Sequence, residues 1–271
     1  MKKITILIVF SIILFVSGAI FVGAVGNERL NVLVYGVDGR DNVENSERSD
    51  AIILVNLDLK KGSIVATYIQ RESYFKITCK GDLYDKINHA YAYGVQKCLN
   101  ETVSQLFDIE NVYNVMLSFN DVVKLVDYFG LIKLTPQFTF CQSDENLVNR
   151  YCFEKDKEIL IDGKQTLAYM RNRKSLPNGD LDRTNNQRQI LKILVSKFLQ
   201  LGLIEKINFY NYAKKNIKTD LNFTSFKIKD LIKAKQFQLS EYTLKGEDYI
   251  DKYYYYKLDP KYLEKIKKYY I

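Results

Sequence analysis

Residues 31–58 read NVLVYGVDGRDNVENSERSDAIILVNLD, and the fold class turns on them. The first seven form a near-continuous apolar run of strand length, the pattern of a strand buried on both faces. A polar loop follows, and residues 51–58, AIILVNLD, repeat the pattern; residues 63–70, SIVATYIQ, supply a third strand. Each run meets charge at one end: Asp38 and Arg40 after the first, Arg48 and Asp50 before the second, Arg71 after the third. Open α/β sheets carry ligands in the loops at strand ends, which marks these residues as a candidate site. Two carboxylates, Asp38 and Asp50, among arginines suit a hard divalent cation, Mg²⁺ or Mn²⁺ in its place, beside phosphate oxygens. Spacing alone equally allows Asp50 to pair with Arg48 or Arg71 as a structural ion pair.

A second charged stretch lies at residues 163–194, GKQTLAYMRNRKSLPNGDLDRTNNQRQILKIL. Here TLAYMRNR reads as a short, partly buried strand, with Arg171 and Arg173 on one face and Asn172 on the other. Asn178-Gly179 is a turn signal, and Asp180 or Asp182 can cap a following helix with an apolar stripe through Ile190, Leu194 and Phe198. Arg183 and Gln187, four apart, would share a face of that helix. Guanidinium forks grip phosphate oxygens in pairs, so the stretch suits a pyrophosphate, although a solvated basic turn has the same composition.

Between these stretches, residues 85–107 read as a loop entering a helix, with Lys86 near its start and His89 a helix-start residue rather than a ligand. Residues 113–116 and 131–136 are strand candidates, and 120–129 a helix capped by Asn120 and stopped by Gly130. Toward the C-terminus lysines alternate with tyrosines and phenylalanines; YYYYKL (253–258) reads as an edge strand and residues 218–235 as a capped, basic amphipathic helix.

Residues 4–25 carry no charge and follow Lys2-Lys3. Such a run spans about 33 Å as a helix, enough for a bilayer core of about 30 Å. The lysines hold the N-terminus in the cytoplasm and place the remainder outside. The run exceeds the length of a signal-peptide core, which favours an uncleaved anchor over cleavage after Ala24. All four cysteines, Cys79, Cys98, Cys141 and Cys152, then fall where disulfides persist. Cys141 and Cys152 can close the polar insert between them, and Cys79 and Cys98 can pair. The net charge of +8 is scattered and no recognition motif accompanies it, so nucleic acid is not the expected partner.

Four motifs in order resemble the LytR-CpsA-Psr family of exported cell-envelope proteins. They are the 31–58 run, IQRESYFKI (69–77) at its Pro-Arg-Asp strand end, DKINHAYAYG (85–94), and 162–191 at its arginine-rich signature. The likeness covers residues 28 to 250, nearly all of the exported part. It implies an α/β fold: a single α-β-α layered domain (27–271) around a mixed sheet, behind a cytoplasmic stub and transmembrane anchor (1–26). It implies phosphotransfer of a polyprenyl-pyrophosphate glycopolymer, such as a teichoic acid or capsule, onto peptidoglycan. By position, Asp38 and Asp50 would hold Mg²⁺. Arg48, Arg71, Lys86, Arg171, Arg173, Arg183 and Gln187 would bind the pyrophosphate, and Arg71 and Arg171 would also act in catalysis with the two aspartates. Two departures stand out: Asn186 where the family usually has arginine, and Gln70-Arg71-Glu72 in place of Pro-Arg-Asp. A hydrolase using water as acceptor, and a non-catalytic envelope sensor, are the alternatives.

Overall fold

The computed structural model describes residues 29–37, 49–58, 61, 63–81, 83–143, 149–172, 175–177, 180–220 and 238–271. Outside them lie the 4–25 run, Asp38, Arg40, Arg48, Arg173, the Asn178-Gly179 turn and most of the stretch read as a basic helix. The described residues fall into two compact units, one within Val16–Ser118 and Ile217–Ile271, the other in Phe119–Asn216. Among them no helix is long and apolar enough to cross a membrane.

The first unit is built on a six-stranded mixed sheet. Its central strands are β1 (Arg29–Val37), β2 (Ser49–Asp58) and β3 (Ser63–Ile69), each antiparallel to the next. β6 (Val112–Ser118) lies parallel to β1 on one side and β12 (Gln238–Thr243) parallel to β3 on the other. Lys218–Thr219, expected to open a helix, instead pairs with β6 as the edge strand β11. Val32, Val34, Ile53 and Val55 are as buried as their neighbours Leu33, Tyr35, Ile52 and Leu54, which is why these strands read as continuous apolar runs rather than alternating ones. One face of the sheet packs on helix α1 (His89–Phe107) through Leu99, Val103 and Phe107, and on the C-terminal Ile266 and Tyr270.

Two hairpins complete this unit. β4 (Tyr74–Ile77) pairs with β5 (Leu83–Lys86), and β13 (Gly246–Ile250) with β14 (Tyr254–Leu258). Cys79, in the 3₁₀ turn Thr78–Lys80 between β4 and β5, is bonded to Cys98 of α1. Gly94 permits that approach, because a Cβ there would stand 2.7 Å from Cβ of Cys98.

In the second unit, helix α2 (Phe119–Phe129) begins one residue before the expected cap and stops at Gly130, whose φ is +73°. The strand pairs β7 (Ile132–Leu134) with β10 (Ile159–Ile161) and β8 (Phe140–Ser143) with β9 (Arg150–Phe153) follow. Cys141 and Cys152 face one another across the second pair and form a disulfide. Three helices close the unit: α3 (Gly163–Arg171), α4 (Asp180–Gln200) and α5 (Leu203–Asn216).

Helix α3 corrects the strand expected at TLAYMRNR. Asp162 and Gln165 form a reciprocal capping box, each side chain accepting from the other's backbone N–H. The buried residues Gly163, Thr166, Tyr169 and Met170 then repeat at helical spacing. Gly163 is needed where α3 meets α2, since its N–H donates to Oδ1 of Asp127 at 3.1 Å and a Cβ would lie 2.5 Å from that oxygen.

Candidate functional site

At one end of the sheet in the first unit, the end of β1, the start of β2 and the exit of β3 lie together in register. The last residue of β1, Val37, lies opposite Ser49, with a register shift between Gly36 and Val37, so Asp50 sits beside a bulge at the strand start. β3 is antiparallel to β2 and ends at the same edge, with Ile69 opposite Ile52, and delivers Arg71 just beyond it. Asp50 is thus positioned by backbone, while Asp38 and Arg48 lie outside the described residues.

Arg71 and Lys86 are brought together, and the residue that does it is Glu72. Nε of Arg71 lies 3.3 Å from one oxygen of Glu72, and Nζ of Lys86 lies 2.5 Å from the other. The backbone locks this cluster. Ile87 N–H donates to the Ser73 carbonyl at 2.8 Å and Asn88 N–H to the Arg71 carbonyl at 3.2 Å, tying the β3 exit to the entry of α1. Lys86 lies near the start of the helix as expected, but it ends strand β5 opposite Tyr74 rather than sitting in a loop. A carboxylate between two cations draws them together and sets their spacing.

His89 opens α1, as expected of it, but it also joins a polar chain. Its Nδ1 lies 2.8 Å from Oδ2 of Asp85, and the same oxygen accepts from the Tyr93 hydroxyl at 2.6 Å. Burial of Asp85 would raise its pKa, but hydrogen bonds from Tyr93, His89 and the Lys86 backbone together outweigh it and leave the carboxyl below its usual value.

In the second unit, Arg171 occupies the last turn of α3, where a cation meets the negative end of the helix dipole. The carbonyls that α3 leaves open are met by amides of α4. Nδ2 of Asn186 donates to the Tyr169 carbonyl at 3.2 Å, and Nε2 of Gln187 to the Met170 carbonyl at 3.3 Å. These bonds hold the first turns of α4, and Arg183 with them, against the end of α3. Asn172, expected to face away, is fully buried, and its side-chain oxygen accepts from Ser175 N–H at 3.4 Å. Tyr169 stacks on Phe140, meets Phe153 edge to face and donates to Gln189 at 2.7 Å. Sequence reasoning missed the capping amide of Asn186 and the bridging role of Glu72. Both stand where the chain departs from the family pattern, which was the available signal.

A mixed-sheet α/β protein with basic side chains fixed at strand and helix ends is the class that fold and side chains define. The chain belongs to the LytR_cpsA_psr family, whose model matches residues 17–270. It is 32% identical over 236 residues to the polyisoprenyl-teichoic acid–peptidoglycan teichoic acid transferase TagU of Bacillus licheniformis, covering 86% of this chain and 74% of that protein. It also resembles the crystal structure of Bacillus subtilis TagV, with a TM-score of 0.70, 27% identity and coverage of 89% of this chain and 95% of that one. A structure of TagT bound to LIIa-WTA is similar over 90% of this chain and 89% of that one, with a TM-score of 0.61 and 27% identity.

Proposed function

We propose that this chain is a membrane-anchored phosphotransferase that moves a polyprenyl-pyrophosphate-linked glycopolymer, of the teichoic acid kind, onto peptidoglycan. The observation that carries the reading is the likeness to TagU over most of both chains, in a sequence that keeps Arg48, Arg71, Arg171, Arg173, Arg183 and both aspartates. Arg48, Arg71, Lys86, Arg171, Arg173, Arg183 and Gln187 bind the pyrophosphate of the donor. An acceptor sugar hydroxyl attacks the polymer-side phosphorus and gives up its proton to solvent; the bond from that phosphorus to the bridging oxygen breaks, and polyprenyl phosphate leaves with the electron pair. The arginines stabilise charge growing on the leaving group, which is where phosphoryl transfer gains most.

Asp38 and Asp50 are hard oxygen donors of the type Mg²⁺ takes in ones and twos. When bound, Mg²⁺ would supply charge neutralisation at the pyrophosphate. The α-β-α layering, the anchor over residues 4–25 and an extracytoplasmic domain belong to the same proposal. Both cysteine pairs are oxidised, as in an exported protein.

The test gives the full-length protein in detergent a polyprenyl-pyrophosphate glycopolymer, Mg²⁺ and peptidoglycan. Polymer covalently attached to peptidoglycan, with polyprenyl phosphate released, is the expected outcome. Free polymer with no attachment would make the protein a hydrolase, and no turnover at all would leave a binding protein.

A further inference from the structure

The β13–β14 hairpin carries five tyrosines within residues 246–258. It is fastened to the β4–β5 hairpin: Ser73 and Tyr256 form a parallel bridge, and Tyr256 N–H donates to the Glu72 carbonyl at 2.8 Å. Cross-strand partners share a face, so Tyr74 stands with Lys86, Lys76 with Tyr84, and Tyr249 with Tyr255. These faces merge into one aromatic patch with Tyr74 at its hub. Its ring centroid lies 4.8 Å from that of Tyr255, 5.2 Å from Tyr84 and 5.7 Å from Tyr249.

A cluster that merely glued two hairpins would bury its rings. Tyr84 instead stays 50% exposed, Tyr249 38% and Tyr253, at the rim, 58%. Exposed aromatic patches with polar borders mark binding surfaces. The border here is specific in kind. Nζ of Lys86 lies 5.7 Å from the Tyr255 ring centre and 2.5 Å from Glu72, so the patch runs directly into the Arg71–Glu72–Lys86 cluster. Across residues 74–86 and 246–258 five lysines are balanced by five carboxylates. A surface seated on an anionic bilayer draws on surplus lysine and arginine, and an anionic polymer would need the same. A neutral pyranose chain needs neither. Its C–H faces lie on electron-rich ring faces, and its hydroxyls meet carboxylates and phenols at the edge.

We propose that this tyrosine patch binds a neutral glycan strand and, in the transfer reaction above on whose reading this part rests, seats the sugar backbone of the acceptor. The chain has no tryptophan, so Tyr249→Trp in the full-length protein places a single reporter in the patch while keeping an aromatic ring. Titration with a neutral tetramer of β-1,4-linked N-acetylglucosamine should change its emission saturably and with little dependence on salt. Adding Tyr84→Ala, or separately Tyr253→Ala, should weaken that binding by about tenfold, the loss expected for one stacking partner. No emission change, or quenching by brominated phospholipid in nanodiscs instead, would overturn the proposal. In the transfer assay Tyr84→Ala should raise KM for peptidoglycan and leave KM for the lipid donor unchanged. Transfer with an unchanged acceptor KM would defeat the patch alone, whereas glycan binding without any transfer would defeat the transferase reading alone.

Discussion

The two basic clusters are held by different physics. Arg71 and Lys86 are organised by charge, with Glu72 between them at 3.3 and 2.5 Å. Arg171 and Arg183 are organised by helix ends, with neutral amides of Asn186 and Gln187 satisfying the carbonyls that α3 leaves open. The first arrangement responds to salt, because a carboxylate sets it. The second responds to packing, because its amide bonds are buried and losing one leaves an unmet carbonyl. Each cluster should therefore fail under a different perturbation.

Each unit also carries one disulfide, and these set the scale. Replacing Cys79 and Cys98 together by serine, or Cys141 and Cys152, should each cost about 3 kcal/mol, as chain-entropy estimates give for loops of this size. Denaturant unfolding measures it, and a loss well under 1 kcal/mol for either pair would remove that bond from the account. Next in size is Asn186→Ala. It deletes a fully buried amide and orphans the Tyr169 carbonyl, for an expected loss of about 1–3 kcal/mol that salt does not alter. Asn172→Ala should also lower the melting temperature, because the side chain is fully buried and accepts from the Ser175 N–H.

In the other cluster the effects are smaller and electrostatic. Glu72→Gln should change stability by no more than about 1 kcal/mol, since the side chains it pairs with keep some solvent contact. It removes the internal competitor for two cations, so inorganic pyrophosphate should bind more tightly, by up to about tenfold, with steeper salt dependence. Calorimetry decides this, and unchanged affinity would mean that Glu72 does not hold Arg71 and Lys86 in check.

The smallest effect concerns Asp85, whose pKa is depressed in the folded protein. The unfolded chain then takes up this proton first, so the stabilisation is complete above about pH 4, the usual aspartate value, and is lost as pH falls through the lower folded value. Amide exchange in the β4–β5 hairpin should accelerate over that range, and Asp85→Asn should flatten the response. The α3–α4 junction should not follow it.

The same contrast explains what could be read from the chain. β1, β2 and β3 were legible because strands buried on both faces are apolar at nearly every position, and such runs are hard to mistake. The α1 helix, the α2 stop at Gly130 and both cysteine pairings were also within reach. Helix α3 was not, because nine residues hold too few turns to declare a period, and Leu167, Tyr169 and Met170 suit a strand equally. Its deciding signal lay one residue earlier, in the spacing of Asp162 and Gln165. The strand that ends at Lys86 was read as loop for a similar reason: β5 is four residues long and paired only with β4, a contact set by the turn and disulfide rather than by an apolar run. The bridging of Arg71 and Lys86 by Glu72 depends on strand pairing across residues 71–88, which side-chain spacing does not reveal.

Steady-state transfer by single variants tests most directly the proposal that each basic cluster serves the transfer of a pyrophosphate-linked polymer. Arg71→Ala and Arg171→Ala, each shown by thermal melting to be folded, should lose about tenfold or more in kcat/KM for the lipid donor, about 1.4 kcal/mol of transition-state stabilisation each. Lysine at either position should restore little of it, because a point charge does not reproduce a guanidinium fork. A folded variant of either arginine that transfers polymer to peptidoglycan at the wild-type rate would contradict the claim for its cluster.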